Sequence, residues 1–142
     1  MVKQLSVFVE NKPGRLMEIL RALADSKIDI NALSLADTTE FGIIRMIVSD
    51  ADKAKKVLNN DGVVVRICNV LAVAVNDEPG ALMNTFEILS ENKISVEYMY
   101  AFGEKLGNSS VIAIRTDDMD LAAERLADGG VTVLEGDDIS EM

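Results

Sequence analysis

Residues 11–30 read N-K-P-G-R-L-M-E-I-L-R-A-L-A-D-S-K-I-D-I, and residues 77–96 read D-E-P-G-A-L-M-N-T-F-E-I-L-S-E-N-K-I-S-V. The two stretches coincide at Pro13/Pro79, Gly14/Gly80, Leu16/Leu82, Met17/Met83, Leu23/Leu89, Lys27/Lys93 and Ile28/Ile94, always at the same spacing. Upstream, Leu5, Val7 and Val9 fall on Leu71, Val73 and Val75; downstream, Ala54 and Leu58 fall on Ala122 and Leu126 after small insertions. A duplication explains this register, and a repeat of this kind decides the architecture before any single element does. One unit is about half the chain and too small to be comfortable alone, so the expected organisation is two mutually stabilising units, 1–69 and 70–142. No Gly/Pro/Ser linker separates them. The run V-V-V-R-I-C-N-V-L-A-V-A-V (63–75) passes from one into the other, which predicts a rigid junction.

Within the first unit, Leu5, Val7 and Val9 alternate with polar residues, the period of a half-buried strand. Pro13 suits the first turn of a helix. Leu16, Ile19, Leu20, Leu23 and Ala24 then form one apolar helical face. Residues 30–36 and 43–48 read as strands joined by the polar turn Asp37–Glu40. Asp50 or Asp52 can cap a second helix carrying Ala54, Val57 and Leu58. Asn59-Asn60-Asp61-Gly62 stops that helix, and Val63 opens a last strand. The second unit copies the scheme. Strand–helix–strand–strand–helix–strand is the ferredoxin-like plan, so the fold class is α+β, with antiparallel sheets carrying helices on one face.

Composition excludes much chemistry. The chain has 14 Lys+Arg against 24 Asp+Glu, a formal charge of −10, and no His. Nucleic acid and anionic membranes both require a positive footprint, so neither is an expected partner. Without His, and with Cys68 alone, the usual ligands of zinc and His-based catalysis are missing. No cofactor, metal or catalytic residue is therefore expected, and one cysteine cannot form an internal disulfide. The longest apolar run, Val70 to Val75, is far short of the roughly 20 residues that span a bilayer. The N-terminus shows no sustained apolar segment of a secretory signal, which gives a cytoplasmic expectation.

Chemistry concentrates at the turn between first strand and first helix, N-K-P-G and D-E-P-G. First-turn N–H groups lack intrahelical acceptors and carry the positive end of the macrodipole, so a carboxylate can dock there. Asn11 or Asp77 would meet the ammonium end of the same ligand. Gly14 and Gly80 allow close backbone approach. The same residues also serve a helix start with Asn or Asp as its cap, and spacing alone does not separate the two.

A βαββαβ unit whose first turn reads D/N-x-P-G, followed by Leu and an amphipathic helix, resembles the ACT domain, a small amino-acid-binding regulatory module. The likeness covers nearly the whole chain twice, and E-N-K-P-G-R-L, S-L-A-D-T-T-E-F-G-I-I-R (34–45) and E-Y-M-Y-A-F (97–102) carry it. It is most similar to free-standing tandem ACT proteins without a catalytic domain. The resemblance implies a ligand held where ACT units meet, by Asn11, Lys12, Pro13, Gly14, Arg15 and Leu16, and by Asp77, Glu78, Pro79, Gly80, Ala81 and Leu82. Lys12 and Arg15 make the first loop the better receiver of a carboxylate, while Glu78 opposes one in the second.

Tyr98, Tyr100 and Phe102 alternate on one strand face, as pocket wall, subunit interface or core. Asp117–Asp120 and Glu135–Asp138 lack the twelve-residue calcium-loop pattern and read as a helix start and a solvated acidic tail. Cys68 reads as a small buried hydrophobe. The expectation is thus a regulatory, allosteric module that binds a free amino acid and is not an enzyme. The alternative is an accessory protein that regulates a partner enzyme without its own ligand. Apolar sheet faces and strand edges point to a homodimer, with a metabolic enzyme or regulator as a further partner.

Overall fold

The computed structural model describes residues 1–10, 12–37, 41–140 and 142. Contacts divide the chain into Lys3–Asn69 and a second unit of Val70–Met142 with Met1–Val2. The N-terminal unit runs β1 (Val2–Glu10), α1 (Arg15–Asp25), β2 (Ile30–Asp37), β3 (Phe41–Val48), α2 (Ala51–Asn60) and the start of β4 (Val64–Asn76). Its strand order is β2-β3-β1-β4. The C-terminal unit runs on through α3 (Ala81–Glu91), β5 (Val96–Ala101), β6 (Ser109–Thr116), α4 (Met119–Asp128), β7 (Thr132–Leu134) and α5 (Gly136–Ser140), with order β5-β6-β4-β7. Each unit therefore has the ferredoxin-like arrangement. The boundary between the units falls inside β4.

The alternation along β1 works as the period requires. Leu5 pairs with Met46 and Val7 with Ile44, which puts four apolar side chains on one face. Leu23 and Ile19 of α1 and Leu58 and Ala54 of α2 close over them, all buried. The second unit repeats this with Leu71 opposite Ile114 and Val73 opposite Ile112, beneath Leu89 of α3 and Leu126 of α4. Burying a Leu or Ile side chain stabilises by about 1.5–3 kcal/mol, so these two clusters dominate the folding of their units.

Helix starts follow two different devices. Asp50 caps α2 and Asp118 caps α4, each side chain accepting an N–H three residues on, from Lys53 and Leu121 at 3.1 Å. Of the two sequence candidates, Asp50 takes the cap and Asp52 lies in the first turn. The helices after the Pro-Gly motifs instead begin with glycine: Gly14 and Gly80 are the N-caps, without any side-chain cap. Pro13 thus sits in the turn ahead of α1 and not in its first turn.

The acidic tail at Glu135–Asp138 is exposed as expected, but it is ordered as well. Residues 136–140 form α5, whose start is held by Glu135 N–H donating to the Asp138 carboxylate at 2.8 Å. Ile139 is buried, and the N-terminal ammonium reaches Glu135 at 2.5 Å. One apolar anchor and two charge-assisted bonds suffice to order this short turn. On β5, Tyr98 and Tyr100 pair with Arg115 and Ala113 and so lie on the face opposite Ile112 and Ile114. They do not face the helices. Cys68 is half-buried, and its sulfur accepts a bond from the Gln4 amide at 3.3 Å.

Both α1 and α3 end on a lysine in the left-handed region, Lys27 at φ 57° and Lys93 at φ 58°. The closing bonds Ile28 N–H to Leu23 and Ile94 N–H to Leu89, 3.0 and 2.9 Å, demand that conformation. A non-glycine residue pays roughly 1–2 kcal/mol there. We therefore expect Lys27→Gly and Lys93→Gly each to raise stability, by up to about 1 kcal/mol after glycine's own entropy cost; urea denaturation measures it.

Candidate functional site

The strand-to-helix turn of the N-terminal unit opens onto a cavity of about 510 Å³. Glu10 from the end of β1, Arg15 and Glu18 from the start of α1, and Asp61 from the turn after α2 supply its charged groups. Phe8, Ile19, Phe41, Leu58, Val63 and Val64 supply its apolar wall, with Gly62 and Val9 completing it. Phe41 and Val64 remain 55% and 60% exposed, so apolar surface is available to a ligand. A volume of this size with an apolar body and a few convergent polar groups suits a small organic molecule.

The topology explains why these residues meet. In a βαββαβ unit each helix runs back antiparallel to the strand it follows. Since β1 and β3 are antiparallel, α1 begins at the sheet end where α2 finishes. The positive end of one helix and the negative end of the other therefore border the same space.

Glycine at the entry is a conformational necessity. Gly14 has φ 87° and Gly80 has φ 86°, and a Cβ built on either would meet nothing within 4 Å. Loss of the left-handed turn, not a steric clash with protein, is what a substitution would bring. Arg15 N–H then donates to the Lys12 carbonyl at 3.3 Å and Glu18 N–H to that of Gly14 at 3.0 Å. Between them lie the amides of Leu16 and Met17, which as first-turn amides have no intrahelical carbonyl.

Of the loop residues singled out in sequence, Arg15 lines the cavity. Asn11 lies outside the described residues. Lys12, Pro13, Gly14 and Leu16 are not part of the lining. The two cations are already engaged: Lys12 Nζ lies 3.0 Å from Glu10, and Arg15 lies 2.9 Å from Glu18. These are exposed pairs that exchange partners at little cost. In the second unit, Asp77 is paired with Lys105 from the β5–β6 connection. Glu78 N–H donates to Asn76, Pro79 precedes the Gly80 cap, Ala81 packs on the core, and Leu82 is exposed. Sequence reasoning missed Glu10, Glu18, Phe41 and the Asp61–Val64 turn. Its only signal there was a helix stop.

Among the described residues, no cluster of three or more His, Cys, Asp or Glu could hold a metal ion. Among the same residues, no helix is long and apolar enough to cross a membrane.

The whole chain, residues 1–142, matches the family model described as an ACT domain pair. A crystallised protein from Bacteroides thetaiotaomicron is 39% identical, with a TM-score of 0.92 over 99% of this chain and 96% of its own. The regulatory subunit of aspartate kinase from Thermus thermophilus, in its ligand-free form, is 13% identical at a TM-score of 0.64, over 89% of this chain and 91% of its own. That from Thermus flavus is 13% identical at 0.60, over 90% and 92%. At such identities the two kinase subunits share the fold alone. No curated protein matches.

Lys12, by hydrogen bond first and by charge second, holds the Glu10 carboxyl below the ordinary carboxylate range, with Arg15 adding a smaller pull. A depressed carboxylate keeps its pairing above the unfolded pKa and loses it as pH falls through the folded one. The Glu10–Lys12 pair should thus survive mild acid and open only below that range. Lys12→Met should move the Glu10 titration upward, read by NMR of the side-chain carboxyl.

Proposed function

The chain belongs to the family of ACT domain pairs, and from that membership we propose that it is a non-catalytic regulatory module that binds a free amino acid beside the first strand-to-helix turn. The observation that carries the reading is the cavity at that turn, bounded by Arg15 at the start of α1 and by carboxylates on the other walls. A zwitterion needs a donor for its carboxylate and an acceptor for its ammonium within a few ångströms, together with room for a side chain. Arg15 offers the first as a two-pronged guanidinium. Its partner Glu18 is exposed, so the ligand carboxylate competes with it at small cost.

Charge sets the class of amino acid. Three carboxylates face one guanidinium in the lining, and the wall is otherwise apolar. Neutral apolar and cationic side chains fit this field, and acidic ones are repelled. The second motif is the weaker site, because Lys105 already satisfies the acceptor that Asp77 would offer to an ammonium.

A thermal-shift series with the twenty amino acids tests the proposal, since a molecule that binds only the native state must raise its melting temperature. We expect an apolar or basic amino acid to raise it, aspartate and glutamate to leave it unchanged, and Arg15→Met to abolish the shift. No shift with any amino acid would favour an accessory protein that acts by contact.

We further propose that the chain self-associates. β2 and β5 stand at the edges of their sheets, and Leu33, Leu35 and Met99 on them are exposed. Pairing with a second copy would cover both backbone edge and apolar surface. Sedimentation at micromolar concentration should give a dimer, and a monomer would remove the claim.

A further inference from the structure

We propose that Asp61, in the turn between α2 and β4, receives the ammonium group of the bound molecule and so makes the cavity select amino acids over plain carboxylic acids. The inference rests on the reading of the cavity as an amino-acid site and adds the residue that completes it. Among the charged groups of the lining, Glu18 is paired with Arg15 and Glu10 with Lys12, which stands outside the lining. Asp61 forms no ion pair among the described residues. It is the charge in the cavity that a ligand cation would meet uncompensated.

Its position sharpens the point. Asp61 is the C-cap of α2, so a negative side chain stands at the negative end of the helix, where lysine or arginine would be stabilising. A carboxylate is therefore unfavourable there in the empty protein, and a cation arriving in the cavity relieves it. The turn is also well fixed. Asp61 N–H donates to Leu58 at 3.1 Å, Gly62 N–H to Asn59 at 3.0 Å and Val63 N–H to Leu58 at 3.0 Å, with Gly62 at φ 80°. With the backbone of the turn held, only the exposed Asp61 side chain has to be ordered when the ligand binds. Arg15 and Asp61 then play opposite parts, one for each end of a zwitterion, with the exposed Phe8, Phe41 and Val64 left for the side chain.

The experiment is isothermal titration of the full chain with the twenty amino acids. The tightest binder is then compared with its deaminated acid, for example leucine with 4-methylpentanoate or phenylalanine with 3-phenylpropanoate. Wild-type protein should prefer the amino acid. Asp61→Asn keeps the shape of the cap and should weaken the amino acid by about ten-fold or more, as loss of a charged hydrogen bond does, while leaving the deaminated acid unchanged. Equal binding of amino acid by wild type and Asp61→Asn overturns the assignment and leaves the amino-acid reading standing. An equal loss of both probes also overturns it, because the turn would then act by shape alone. Should Asp61→Asn not fold, wild-type protein that binds both probes equally overturns it on its own. Failure of the wild type to bind any amino acid removes the cavity reading, and the role of Asp61 with it.

Discussion

Gly14 and Gly80 each complete the passage from strand to helix within four residues, and that turn is possible because φ near +87° costs glycine nothing. A side chain at either position would push the backbone toward negative φ and move the helix start. In both units the consequence is the same. The helix begins without a side-chain cap, at the open end of the sheet. Contrast α2 and α4, where Asp50 and Asp118 satisfy first-turn amides from their own side chains. The fold thus contains two helices whose first turns are closed by aspartate and two whose first turns face outward, and the cavity described above stands at one of the latter.

The strand order then dictates what the open end faces. Because β1 and β3 run antiparallel, α1 starts where α2 stops, and the residues that follow α2 come to lie across from Arg15. No choice of side chain could separate them without a change of topology. A cavity placed between opposite helix ends has a built-in potential gradient, which polarises whatever small molecule enters it. Carboxylates at Glu10, Glu18 and Asp61 shift that field toward negative, and the single guanidinium keeps one positive pole.

The fold was legible because its signals are local and doubled. The alternation of Leu5, Val7 and Val9 points to one face, and that face is buried as read. Of the stripe Leu16, Ile19, Leu20, Leu23 and Ala24, only Ile19 and Leu23 are buried; Leu20 is half-buried, and Leu16 and Ala24 are exposed. Pro13 was harder to place: its fixed φ suits a first helical turn and an entry turn alike, and the left-handed Gly14 after it decides for the second. The ordering of 136–140 depends on the N-terminal ammonium and on Ile139 finding a core, contacts that no local pattern announces. Of the residues that line the cavity, Arg15 had been singled out from its place after Pro-Gly. Asp61 was read as part of a helix stop, which it is. Its place in the cavity follows from tertiary proximity to a loop far away in sequence, and one sequence contains no signal for that.

The two motifs also show how a duplicated loop can diverge without any change of backbone. Gly14 and Gly80 differ by one degree in φ, and the bonds that follow them are matched: Glu18 N–H to Gly14 and Asn84 N–H to Gly80, both 3.0 Å. Their charge partners differ. In the first unit the turn is flanked by Glu10–Lys12 and Arg15–Glu18, pairs formed within a few residues and open to exchange. In the second, Asp77 is tied across the unit to Lys105, which bridges the strand-to-helix turn to the β5–β6 connection. On the proposed reading, a ligand at the first loop would displace a neighbour of its own helix, whereas at the second it would have to break a tie between separate segments. A few surface charges are therefore enough to make the two entry turns of one scaffold electrostatically different, while the glycine-dependent turn stays the same.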